Sequence, residues 1–336
     1  MTCIDDCIDV VTDEAFVWHL ATNHGEDDAL LECFVANNAL LISFPIVHYL
    51  WESVTIAGAW SFRGIACNSK GFSVVVGLAG HGYRSGADIT VWTEIVAGFG
   101  THDVRAVCAI DDVFVVVGAS NLDARYSLDH GVTWTPSALF AGNQLNGLSR
   151  GPEVDEVAVA VGAGGEIWRT ANAGQTWTSI ASPTAFTLLC VASCEGAMLA
   201  GGVSGILIRS TNNGLAPWSF IVVAGLGQNV RGVAGKGEVA VFVCDSGLIY
   251  RSTDTGATWT QVSSPVNTDL YAVAASSSGR WTACGAGGVI VQSLDDGVTW
   301  TLQDSQGVTA DLYAACDHYP DGFALVAGDN STLITE

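Results

Sequence analysis

The sequence predicts an all-β fold, a closed ring of seven four-stranded units, and three observations predict it. A phrase of the form SxDxGxxW recurs, tryptophans return at a near-constant interval, and each interval holds four short strand patterns. The phrase reads SLDHGVTW at Ser127, TANAGQTW at Thr170, STDTGATW at Ser252 and SLDDGVTW at Ser293; STNNGLAPW at Ser210 carries one extra residue. Trp92, Trp134, Trp177, Trp218, Trp259 and Trp300 lie 42, 43, 41, 41 and 41 residues apart, and counting back 41 from Trp92 lands on Trp51. Short strands at this period match one blade of a β-propeller.

Taken in chain order, residues 1–45 precede the repeat. They form an acidic arm, since ten Asp or Glu and no Lys or Arg occur before Arg63. FVWHL and ALLECFV read as short helices that need a cover, and the arm is expected to dock or anchor the ring. The start, MTCIDDCIDVV, lacks the basic-then-apolar pattern of a secretory signal. No apolar run is long enough to span a bilayer.

The blades follow over 57–98, 99–142, 143–183, 184–225, 226–265, 266–305 and 306–336 within a domain of residues 46–336. First strands begin near Phe62, Val104, Leu145, Phe186, Val230, Leu270 and Leu312, and carry small residues because the innermost strands converge on the axis. Second strands such as VFVVVG and VAVAVG are apolar and end in glycine. The seventh unit stops at LITE after three strands. Residues 48–56, with Trp51 on the period, supply the missing one, and closure removes the exposed edges.

Within the recurring phrase each residue type has a mechanical task. The side-chain oxygens of Asp129, Asn172, Asn212, Asp254 and Asp295 accept backbone N–H groups in an Asx-type turn. Glycine supplies the positive φ. Trp134, Trp177, Trp218, Trp259 and Trp300 open the outer strand and fill the wedge between blades. Exchange of Asp for Asn leaves that task intact, whereas a metal site or a catalytic acid would be less tolerant. The box is therefore a fold staple, and no catalytic residue, metal or cofactor is expected.

These phrases resemble the BNR or Asp-box repeat. The longer pattern GxxGxIxRS followed by xDxGxxW, carried by Gly162 to Trp177, Gly202 to Trp218 and Gly285 to Trp300, is most similar to the photosystem II assembly-factor branch of that sialidase superfamily. The resemblance covers residues 57–305 and, in part, 306–336; in the first unit YRSGADITVW puts Asp88 one place late. It implies the propeller, and it leaves the role open because one fold hosts many functions. Sialidase relatives imply three substrate-binding arginines, a tyrosine nucleophile with a glutamate partner, and an acid–base aspartate. Their Arg-Ile-Pro phrase is missing here, with FRGI at Phe62 the nearest match, and their propellers usually have six blades. No other hydrolase, phosphate-loop or dinucleotide fingerprint occurs, so the expectation is a protein that is not an enzyme.

Candidate binding residues lie on the first strands. Arg63, Arg105 and Arg231 share one position, occupied elsewhere by Asn146, Thr187, Tyr271 and Tyr313. Converging at one mouth of the channel, they form a cationic and aromatic ring for an anionic group or a partner's carboxylates. The competing reading is that they plug the channel and pair with acidic neighbours. Arg84, Arg169, Arg209 and Arg251, one per blade before the box, read as blade-packing residues. Cys108, Cys190 and Cys316 fall at one small, buried strand position. Cys3 and Cys7, and His19, His24 and Glu26 to Asp28, lack a full metal-ligand pattern.

A net charge of −22 disfavours nucleic acid and anionic lipid. The foremost expectation is a non-enzymatic interaction protein of a phage virion, such as a capsid decoration, fibre or tail protein. It would contact other virion or complex proteins, or itself, through residues 1–45, without membrane insertion; the location is the virion or, alternatively, the cytoplasm. Two further readings stand beside it: an assembly factor for a membrane protein complex, as the resembling branch implies, and a glycan-binding host-attachment module.

Overall fold

A computed structural model describes strands at 16–21, 30–35 and 42–45 and residues 51–335, except 55, 57, 87, 97, 120–123, 139–142, 153–155 and 319–322. The chain divides into two compact units between Leu50 and Trp51. The first contains an antiparallel three-stranded meander, Phe16–Ala21, Leu30–Val35 and Ile42–Pro45. FVWHL and ALLECFV are thus strands, not the expected helices. Segments this short make poor isolated helices, and a third strand completes their backbone pairing. Cys3, Cys7, His24 and Glu26 to Asp28 lie outside the described residues.

The second unit is a seven-bladed propeller of antiparallel four-stranded sheets. Its innermost strands are Phe62–Cys67, Val104–Ile110, Leu145–Arg150, Leu188–Cys194, Val230–Lys236, Leu270–Ala275 and Leu312–His318. Each touches the next around the axis, and the last touches the first. The seventh blade pairs Leu312–His318, Phe323–Gly328 and Leu333–Thr335 with Glu52–Ser53, so a strand from ahead of the first blade completes it. Ser53 lies opposite Ile334 and Glu52 opposite Thr335, and Val54 N donates to Leu333 O at 2.8 Å. Trp51, 3% exposed, packs among Leu312, Val326 and Ile334 of this blade and Ile290 of the sixth.

The second strands are buried on both faces, which is why they read as continuous apolar runs rather than alternating ones. The strand's last residue sits against the chain entering the same blade. A Cβ on Gly285 would lie 2.0 Å from Asp269 O, so glycine is required by close approach, not by φ.

The box forms as a turn clamp. In the fifth blade Asp254 accepts from Ser252 Oγ at 2.7 Å, Thr258 N at 2.8 Å and Thr258 Oγ1 at 2.6 Å, and Trp259 Nε1 donates to Gly256 O at 3.1 Å. Asp129 and Asp295 repeat this pattern, and Asn172 accepts from Thr170 Oγ1 and Thr176 N. Asn212 departs from the expectation by donating its amide to Ala216 O at 3.3 Å. Pro217 stands where the other boxes have threonine, and proline has no N–H to offer. In the first blade Asp88 caps Thr90 instead, and Trp92 Nε1 donates to Ile89 O.

The tryptophans fill wedges as expected. Trp177 packs with Val115 of the second blade and Ala158 of the third, Trp218 with Val159 and Met198, and Trp300 with Val241 and Ala283. Arginines tie successive blades together: Arg169 Nε donates to Asn213 O, Arg209 Nε to Thr255 O and Arg251 Nε to Asp296 O, at 2.7–2.9 Å. Each acceptor is the positive-φ residue just before the glycine of the next blade's box, so the clamp also exposes a carbonyl to its neighbour.

Candidate functional site

Alternate residues of each innermost strand point toward the axis. The outer layer at one mouth is Arg63, Arg105 and Asn146 on the first three blades, Leu189 on the fourth, and Arg231, Tyr271 and Tyr313 on the last three. The fourth position differs from expectation. The innermost strand there starts at Leu188, two residues after Phe186, and Thr187 precedes it. Thr187 O accepts Val203 N, as Ser61 O accepts Leu78 N and Asp269 O accepts Ala286 N, which identifies its place in the repeat. Cys190 therefore aligns with Gly64, Ala106 and Gly232, not with Cys108 and Cys316. The TAFTLLC segment misled because an apolar phenylalanine lies two residues before the true anchor, and a two-residue slip preserves strand alternation.

Two residues inward, Ile65, Val107, Leu148, Val191, Val233 and Val273 form an apolar girdle, each under 10% exposed. The mouth is thus a cup of about 160 Å³ with polar walls and an apolar floor. Its walls fall into two halves. Tyr271 and Tyr313 stack at 5.0 Å between ring centres, Arg63 caps the pair with Cζ 3.6 Å over the Tyr313 ring, and Arg231 Cζ lies 5.8 Å from the Tyr271 ring. The opposite half, Arg105, Asn146 and Leu189, has no such stack among the described residues. Asn146 is held there, donating to Leu188 O and accepting from Gln144.

Carboxylates back the ring. Arg63 pairs with Asp329 at 3.4 Å, Arg105 with Asp103 at 3.6 Å, and Arg231 with Asp245 at 2.6 Å. Burial alone would lower the Arg231 pKa, but the bond to Asp245 and its charge raise it overall. Tyr313 Oη donates to Asp311 or Asp329, and burial pushes its phenol up to about 12, the two aspartates adding to the shift and Arg63 opposing it. Asp269 and Asp311 accept Ser246 N and Gly287 N from the preceding blade's turn, and Asp103 accepts Ala79 N. The arginines therefore do pair with acidic neighbours. Asp103, Asp269 and Asp311 were legible as the acid in DVR, DLY and DLY at the start of a first strand. One polar atom stays unmet: Arg105 Nε is buried without an acceptor. Among the described residues no three His, Cys, Asp or Glu side chains gather as a metal site would require.

Fold and site together define a seven-bladed propeller with a one-ended polar cup. No protein-family model and no curated protein sequence matches the chain. Among solved structures, YCF48 bound to D1 peptide is similar at 15% identity and a TM-score of 0.70, over 86% of this chain and 96% of that one. The WD40 propeller domain of Doa1 gives 12% and 0.67, over 84% and 94%. A catalytically inactive virginiamycin B lyase from Staphylococcus aureus with quinupristin gives 13% and 0.61, over 85% and 98%. At these identities the likeness establishes the fold, shared by binding propellers and an enzyme alike. No helix among the described residues is long and apolar enough to cross a membrane.

Proposed function

We propose that this protein is a non-enzymatic interaction propeller of the assembly-factor type, which holds a peptide segment of a partner protein at the channel mouth. The observation that carries the reading is the Arg105 guanidinium. Arg231 is engaged by Asp245 at 2.6 Å and Arg63 by Asp329 and Tyr313, while Arg105 has only the looser pairing with Asp103 at 3.6 Å. A peptide carboxylate gives the Arg105 guanidinium a closer partner, and the girdle below gives an apolar side chain a seat. The solved propeller with a bound D1 peptide supports a peptide as ligand class. The box clamp is our ground for placing the repeat in the BNR/Asp-box superfamily. Residues 1–45, a unit of their own in this reading, add a second contact to the partner. The virion setting draws no support from the similar structures.

A peptide-display library selected on the full chain tests this. Selected peptides should lose at least about tenfold in affinity on Arg105→Ala, the scale of one charge-assisted hydrogen bond, and more when Arg63 and Arg231 are also changed to alanine. Peptides that bind all variants equally, or cross-link only to the outer strands, overturn the assignment. A glycan array probed with the same variants decides the attachment-module alternative.

A further inference from the structure

The junction between the last and first blades carries a pair of thiols. Cys67 ends the innermost strand of the first blade, and Cys316 lies on the innermost strand of the seventh. Their sulfurs are 2.8 Å apart although the residues are separated by 249 positions in sequence. Both are half-buried, whereas the other five described cysteines are fully buried. Burial pushes the thiols of Cys108 and Cys190 up to about 12 and that of Cys194 to about 11, and those of Cys244 and Cys284 higher still. Such thiols stay protonated and inert. Cys67 differs in its surroundings: the Ser73 hydroxyl donates to its sulfur at 3.2 Å and the Cys316 sulfur lies beside it. Burial and the neighbouring Cys67 push the Cys316 thiol up.

We infer that Cys67 and Cys316 are a disulfide-forming pair that converts the hydrogen-bonded closure of the ring into a covalent one. The need is visible in the seventh blade, where the borrowed strand is joined by two residue pairs, Ile334 with Ser53 and Thr335 with Glu52, and by the Val54 N to Leu333 O bond beside them. If that strand lifts, no strand pairing closes the seventh blade, and what joins it to the first is packing, the Ser331 N to Trp60 O and Trp60 N to Ser331 Oγ bonds, the Ser61 Oγ bond to Asp329 and the Arg63–Asp329 pair. A bond from Cys67 to Cys316 ties the two innermost strands directly, and a loop this long is where a cross-link restricts the unfolded chain most. The chemistry is thiol–disulfide exchange with a small disulfide such as oxidised glutathione. The Cys67 thiolate attacks one sulfur of the oxidant and expels a thiolate, giving a mixed disulfide. Cys316, as its thiolate, then attacks the Cys67 sulfur and expels the second. The two protons lost by the cysteines end on the two small thiols, and the oxidant takes up the two electrons.

The test equilibrates the full chain with reduced or oxidised glutathione, blocks free thiols, digests without reductant and maps linked peptides by mass spectrometry, with a thermal melt of each state. We expect a peptide joining Cys67 to Cys316 only in the oxidised sample, and a melting temperature raised by roughly 5 °C. The difference should vanish in Cys316→Ala. The map uses the unaltered chain, so it stands even if that variant folds poorly. Absence of the linked peptide, linkage only through other cysteines, or linkage with no change in melting temperature each overturns the inference.

Discussion

Asp254 shows how one half-buried carboxylate can shape a turn. Burial is the largest single influence and raises its pKa, but the bonds from Thr258 and Ser252 together outweigh it and take it to about 2; Asp295, held mainly by Thr299, also falls to about 2. Both lie below the ordinary 3.8, so the charged forms stabilise the fold fully above that value. That stability is lost as pH falls from 3.8 through about 2. Urea melts across this window should show a steeper acid loss for the natural chain than for an Asp254→Asn, Asp295→Asn variant; parallel curves would mean the boxes do not report acid unfolding. At neutral pH, Asp254→Ala should cost about 1–2 kcal/mol by urea denaturation, since the exposed Thr258 regains water while the buried Ser252 hydroxyl loses its acceptor. Asn172, which keeps the acceptor, shows why box positions tolerate the amide.

At the level of the element, closure rests on a very short strand backed by a large side chain. Glu52 and Ser53 are exposed, so their backbone pairing contributes little apolar burial; Trp51 beside them contributes most of it. Trp51→Ala should lower stability by about 3–5 kcal/mol, the usual cost of emptying a core tryptophan site. It should also free the Leu333–Thr335 edge for pairing between molecules, which light scattering at rising protein concentration would detect. A variant that melts like the natural chain and stays monomeric would show that the seam is held elsewhere. The glycine that ends six of the seven second strands is the other sensitive element; the fifth ends in Cys244. Gly285→Ala places a Cβ against the Asp269 carbonyl and should destabilise by at least about 2 kcal/mol in the same assay.

The whole molecule carries a net charge of −22, and the cup concentrates several of its carboxylates beside three arginines. Mutual repulsion among exposed acids works against the compact state, and salt screens it within about 10 Å at 0.1 M. Raising sodium chloride from about 0.05 to about 0.5 M should therefore raise the melting temperature by a few degrees. A fall on adding salt would show that ion pairs such as Arg231 with Asp245 outweigh the repulsion.

The seven-bladed ring, its borrowed strand and the place of each box could be read from the chain, because these features repeat and each copy corrects the others. Phrases such as DVR and DLY carried the rim aspartates too, once their register was known. Where there is one copy only, the reading slipped, and FVWHL paired as a strand; in the fourth blade the apolar Phe186 two residues ahead of Leu188 shifted the register despite the other copies. Facts about neighbours across the axis were out of reach. The Tyr271–Tyr313 stack, the orphaned Arg105 Nε and the meeting of Cys67 with Cys316 depend on how innermost strands pack side by side. Periodicity ranks positions along each blade, but only packing around the closed circle determines which residues of different blades come within bonding distance.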